Sequence, residues 1–141
     1  MEQYMQFATN HYILTLAWIG VFVLLIYSFI GGRLRGYTSV NPAGATQLIN
    51  HEQAMVLDVR EENEYLNGHI VNSLHIPMSY LNDRLGELDK YKDKPLIVSC
   101  RSGQRSGHAC AMLKKKGFEN IYNLNGGMMA WQNDNLPVTK K

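Results

Sequence analysis

From Tyr12 to Ile30 the chain runs for 19 residues without one charged side chain, dense in Leu, Ile, Val and Phe. No other feature limits the possible folds as strongly. As an α-helix the run is about 28 Å long at 1.5 Å per residue, close to the roughly 30 Å hydrocarbon core of a bilayer. A helix on the core of a soluble protein keeps one polar face, and this run has none. A secretory signal peptide wants basic residues ahead of the apolar run and small residues at a cleavage site behind it. Here Glu2 is the charged side chain ahead of the run, and no Lys or Arg occurs before Arg33. The reading is a transmembrane helix over 12–30, preceded by a short tail over 1–11.

Arg33 and Arg35 follow the run at once. Basic residues favour the cytoplasmic flank of a span, so everything after the helix is expected in the cytosol. Gly31 to Ser39, with three glycines and two arginines, reads as a juxtamembrane linker. The remaining 40–141 is enough for one domain of ordinary size. Cys100 and Cys110 are the two cysteines, and a cytosolic setting keeps both reduced. Their spacing matches neither CxxC nor a zinc pattern, so no metal and no other cofactor is expected. The net charge of +2 and the short lysine runs at 114 to 116 and the C-terminus are too slight for nucleic-acid binding.

Beyond the linker, short apolar runs alternate with helical patterns. Asn41-Pro42 is an N-cap with proline at the first helical position, opening a helix through Ile49. Met55-Val56-Leu57 reads as a buried strand, and a short acidic helix from Glu61 to about Leu66 stops before Gly68. Ser73 to Ile76 gives another strand. Leu81, Leu85 and Leu88 recur as one stripe of an amphipathic helix. Leu96-Ile97-Val98 is too short for a helix and too apolar for a sheet with one wet face. Gln104 to Lys116 is helical and ends at Gly117, with lysines at the negative end of its dipole. Ile121 to Leu124 is a last strand, and Gly126-Gly127 leads into a helix through Trp131. Strands alternating with helices imply an α/β layered domain with a parallel central sheet.

Ligands of such sheets bind beyond the carboxyl ends of the strands. Cys100 falls there, ahead of Arg101-Ser102-Gly103-Gln104-Arg105-Ser106 and a helix. Small, flexible residues let this loop curl until successive N–H groups face one point, an anion site. The same field favours a thiolate and makes the sulfur nucleophilic. Cys110, beside Ala109 and Leu113, reads as a small core residue, and Trp131 as core packing. Asp58 and Arg60 read as an internal salt bridge, and His69 as a residue ordering the turn at Gly68. His108 lies one helical turn from Arg105, within reach of the pocket rim.

Asp58-Val59-Arg60, Glu64-Tyr65, Gly68-His69-Ile70 and His75-Ile76-Pro77 form a spaced series, closed by Gly126-Gly127-Met128-Met129-Ala130-Trp131. This series resembles the two rhodanese signatures, and the loop after Cys100 resembles the rhodanese active-site loop. The likeness spans about Val40 to Pro137, and with the apolar span it looks like the small membrane-anchored rhodaneses of bacteria. Asn72-Ser73 and His75 depart from the usual residues at their positions. The resemblance implies a three-layer rhodanese-like domain and a single-pass protein of the bacterial inner membrane. It implies sulfur transfer, with Cys100 taking a sulfane sulfur from a small anionic donor such as thiosulfate and passing it to a thiol, protein or cyanide acceptor. Arg101 to Ser106 would bind the substrate, with Arg101 and Arg105 attracting the donor. Two rivals follow from the same fold: an interaction module docking a membrane partner, and a cysteine phosphatase. Phosphatase loops of the related type carry five residues between cysteine and arginine, whereas Cys100 and Arg105 have four between them.

Overall fold

The computed structural model describes residues 1–33 and 35–141; Leu34, within the expected linker, lies outside the described residues. The chain forms two compact units, Met1–Arg35 and Gly36–Lys141. In the first, helix α1 (Glu2–Asn10) is followed by helix α2 (Tyr12–Arg33). His11 separates them, its φ of −123° leaving the helical region. Within α2, Tyr12–Gly31 has a mean hydropathy of 2.5 and none of it is buried in the protein, so this helix is long and apolar enough to cross a membrane.

The second unit is a three-layer α/β domain. Its strands are β1 (Thr38–Val40), β2 (Met55–Asp58), β3 (His69–Ile70), β4 (Leu74–His75), β5 (Leu96–Ser99), β6 (Ile121–Leu124) and β7 (Val138–Thr139). Its helices are α3 (Pro42–Glu52), α4 (Glu62–Leu66), α5 (Gln104–Lys115) and α6 (Gly127–Asn133). The central sheet has the order β1-β6-β5-β2-β4, and every pairing in it is parallel. β5 therefore lies mid-sheet, between β2 and β6, with all four residues buried. Side chains alternate between the two faces of a strand, and the core divides accordingly. Leu57, Leu96, Val98 and Ile121 pack with Ala109, Cys110 and Leu113 of α5 on one face. Val56, Ile97 and Leu124 pack with Ala45 of α3 and with Met128 and Trp131 of α6 on the other. That double burial is why these strands lack a polar alternation.

Local signals behave as their chemistry requires. The Asn41 side chain accepts the Gly44 N–H at 2.8 Å and caps α3, with Pro42 at the first position. Two readings change, and one pairing is new. The Leu81–Leu88 stripe is not an α-helix: the segment forms 3₁₀ turns at Met78–Tyr80 and Leu85–Tyr91. Leu81 and Leu88 are still buried, but Asn82, Asp83 and Gly86 favour turns over helix, and Arg84 leaves the helical path at φ −109°. Thr38 and Ser39, read as linker, belong to β1 and pair in register with Tyr122 and Asn123. Finally, β3 and β7 form a two-stranded antiparallel ribbon, each strand too short to leave a sequence pattern.

Candidate active site

Cys100 directly follows β5 at the carboxyl edge of the sheet, and the chain there must turn sharply into α5. Gly103 makes the turn at φ +99°, a left-handed conformation that suits glycine. The Gly103 N–H then lies 3.0 Å from Cys100 Sγ, and the Ser106 hydroxyl lies 3.4 Å from it. The loop carbonyls face the other way. The Met128 N–H donates to the Cys100 carbonyl at 2.8 Å and the Met129 N–H to the Arg101 carbonyl at 3.1 Å. Helix α6 thus takes up two of the loop's acceptors, on the side away from the sulfur's donors. Gly127 (φ +55°) makes this contact possible: a Cβ there would overlap the Cys100 carbonyl oxygen and lie 2.7 Å from that of Arg101.

The two cysteines are both buried, yet their environments push them apart. Burial alone would raise the Cys100 thiol. The Ser106 hydroxyl and the backbone N–H groups of Ser106, Gly103 and Ser102 outweigh it and hold the thiol below its ordinary value. At Cys110 burial has no such opposition. Together with the charge at Cys100 it pushes that thiol up to about 12. Cys110 is a core residue of α5, packed in the cluster that holds Leu113.

The six loop residues separate by role. Ser106 is fully buried and meets the sulfur, Gly103 is half-buried, and Arg101, Ser102 and Gln104 are exposed. Gln104 and Arg105 line an open depression of about 370 Å³ with Met78 and His108, which puts His108 beside the loop. Arg105, which the resemblance makes a donor-attracting cation, is paired within the domain. Its Nη1 and Nη2 donate to the two carboxylate oxygens of Glu64, each at 2.8 Å. The Arg105 guanidinium, hydrogen-bonded to Glu64, brings that carboxyl down to about 2.

Glu64 is held in place by the rest of the signature. It closes a capping box at the start of α4, accepting the Glu61 N–H at 3.0 Å. Tyr65, on the same helix, is stacked between His69 and His75 at ring separations of 3.7 and 4.2 Å. Each histidine bonds a carbonyl, which only accepts: His69 Nδ1 donates to Tyr65 and His75 Nε2 to Arg60, both at 2.8 Å. Arg60 forms the expected buried pair with Asp58 at 2.7 Å and also donates to the Gly68 carbonyl. These residues build a scaffold under α4 and make no contact with the sulfur.

Sequence reasoning missed Asn123. It is almost fully buried on β6, donates to the Gly103 carbonyl at 3.0 Å and accepts the Ser106 hydroxyl at 2.6 Å. A buried amide in a strand that is otherwise apolar was the available signal. Among the described residues, no group of three His, Cys, Asp or Glu side chains is placed to hold a metal ion.

Comparison with known proteins agrees with this geometry. The chain is 34% identical to the uncharacterized protein YibN of Escherichia coli strain K12 over 141 residues, covering 99% of both chains. It is 36% identical over 92 residues to a protein of Allochromatium vinosum named a sulfurtransferase, covering 65% of this chain and 84% of that one. The crystal structure of a rhodanese-related protein from Thermoplasma volcanium superposes with a TM-score of 0.68 at 36% identity, over 74% of this chain and all of the other. The model of the rhodanese-like domain matches residues 41–134, so the chain belongs to the rhodanese-like domain family.

Proposed function

We propose that the protein is a membrane-anchored sulfurtransferase that carries a sulfane sulfur as a persulfide on Cys100. The observation that supports this most is the Cys100 environment: a buried sulfur facing N–H and hydroxyl donors, with its thiol held below the ordinary value. Relatives named sulfurtransferases point the same way. In the first step the Cys100 thiolate attacks the outer sulfur of a thiosulfate-like donor. A new S–S bond forms, the donor's S–S bond breaks, and its electron pair leaves with sulfite. In the second step an acceptor thiolate or cyanide attacks the terminal sulfur and Cys100 departs as thiolate. Two displacements restore the enzyme without net oxidation, a ping-pong covalent cycle.

The loop donors stabilise negative charge on the carried sulfur. With Arg105 bound to Glu64, exposed Arg101 is the loop cation that draws in the donor anion. The four residues between Cys100 and Arg105 make a cradle sized for one sulfur, smaller than a phosphate needs. Helix α2 anchors the domain in a bacterial inner membrane, and Arg33 and Arg35 set its cytoplasmic side, where thiol acceptors are abundant. Replacement of each cysteine in turn tests the chemistry. Cys100→Ser abolishes thiosulfate-dependent sulfur transfer, whereas Cys110→Ser keeps most of it. A dead Cys110 variant with an active Cys100 variant would assign the reaction to the wrong sulfur.

A further inference from the structure

Ser106 has one hydroxyl proton and two acceptors within reach: Asn123 Oδ1 at 2.6 Å and Cys100 Sγ at 3.4 Å. It donates to one at a time. The orientation of Asn123 is fixed by its other contact. The Gly103 carbonyl only accepts, so the Asn123 amide NH₂ faces it at 3.0 Å and Oδ1 must face Ser106. While Cys100 is a thiol, the Ser106 proton therefore goes to Asn123 and the hydroxyl's lone pairs face the S–H. When Cys100 ionises, the hydroxyl can donate to the sulfur only by leaving Asn123 Oδ1 buried without that donor. An unpaired buried acceptor carries a free-energy cost.

We propose that Asn123 is a positioning residue that acts on Cys100 through Ser106: by competing for the hydroxyl proton it sets how readily the reactive sulfur ionises. The loop does not depend on Asn123 to stay curled, because the Gly103 carbonyl also accepts the Gly107 N–H at 3.1 Å. Space for the amide comes from Gly107, where a Cβ would lie 3.5 Å from Asn123 Nδ2 and 3.0 Å from the Tyr37 hydroxyl. The other titratable or charged groups near the sulfur are Arg105 and Cys110 of α5, with Glu64 of α4 acting through Arg105. Arg101 is on the loop itself, Asp58 and Arg60 at the end of β2 bind each other, the Tyr37 hydroxyl borders Gly107 beside the Asn123 amide, and His108 is exposed on α5. None of these touches Asn123 or Ser106 by hydrogen bond. The inference rests on Cys100 being the reacting sulfur of the proposed function.

The test is the pH dependence of Cys100 alkylation by iodoacetamide, in the full-length protein in detergent on a Cys110→Ser background. Alkylation reads ionisation directly, so its result stands apart from whether sulfur is the group transferred. Asn123→Leu removes the competing acceptor, and the alkylation midpoint falls by about one pH unit, the worth of a hydrogen bond to a charged group. Asn123→Asp holds the proton more tightly, and the midpoint rises by about as much. Ser106→Ala also raises it, and in that background Asn123→Leu no longer lowers it. A midpoint raised or unchanged by Asn123→Leu in the folded protein would overturn the proposal, since a purely structural amide can only lose positioned donors when removed. If the leucine variant does not fold, the aspartate variant decides. A rise equally large with and without the Ser106 hydroxyl is a through-space charge effect and equally overturns the proposal.

Discussion

Glu64 bonds to the side chain of Arg105, 41 residues along the chain, and closes the cap of its own helix. Its carboxylate cancels a positive charge beside the sulfur, so Glu64→Gln should leave Arg105 open to an anionic donor. The expected result is a KM for thiosulfate lowered by about fivefold, the effect of roughly 1 kcal/mol, with little change in kcat. Steady-state kinetics at constant ionic strength measures both. The same pair has a pH signature. Glu64 titrates at about 2 in the folded protein against an ordinary 4.5. Its contribution to stability is therefore present above the ordinary value and is lost as pH falls from about 4.5 towards about 2. Arg105 is more than a third exposed, so solvent screening holds that contribution to at most about 1 kcal/mol. Acid unfolding of Glu64→Gln should lack that part of the pH dependence. At this scale the placement of Cys100 at a curled loop was legible because a cysteine, a strand end and a glycine-bearing basic loop are contiguous. The Glu64–Arg105 and Asn123–Ser106 pairs were not, because each joins residues that only the folded sheet brings together.

Gly127, the first residue of α6, lets the helix press against the loop after Cys100, and its place in the sequence would not suggest this. Adding a Cβ at Gly127 would drive it into the carbonyls of Cys100 and Arg101 in a left-handed backbone. Gly127→Ala should cost about 2–3 kcal/mol, as overpacking plus backbone strain, and reduce sulfur transfer more than the loss of folded protein explains. Denaturant melts alongside activity per folded molecule separate the two effects. The loop itself is tested by length. One glycine inserted between Gly103 and Gln104 should enlarge the cradle, move the Gly103 N–H off the sulfur and weaken sulfurtransferase activity. If the unmodified protein hydrolysed aryl phosphates faster than it transferred sulfur, the phosphatase reading would stand instead. Element types came through where a cap or an unbroken apolar run specified them, as at Asn41-Pro42 or Leu96 to Val98. The 78–91 segment misled because its leucine spacing fits a helix while Asn82, Asp83 and Gly86 oppose one. Burial of Leu81 and Leu88 is satisfied by either backbone.

Across the whole chain, the division into two units follows from one composition change. Helix α2 is long and apolar enough to cross a membrane. The protein should sediment with membranes, resist high salt and be released by detergent. In sealed spheroplasts, external protease should spare Tyr37 to Lys141; digestion of that segment would reverse the orientation, and release by salt alone would rule out the span. The boundary between linker and domain was less legible, since Thr38 and Ser39 join the sheet at its edge through partners more than 80 residues away, a pairing no local pattern announces. The proposed function requires Cys100 to carry sulfur. Intact-mass and peptide mass spectrometry of the purified protein after exposure to thiosulfate measures this. A gain of about 32 Da, one sulfur atom, is expected on the Cys100 peptide, discharged by cyanide and absent from Cys110. An unmodified Cys100 under conditions where the protein turns over, or the added sulfur found on Cys110, would contradict it.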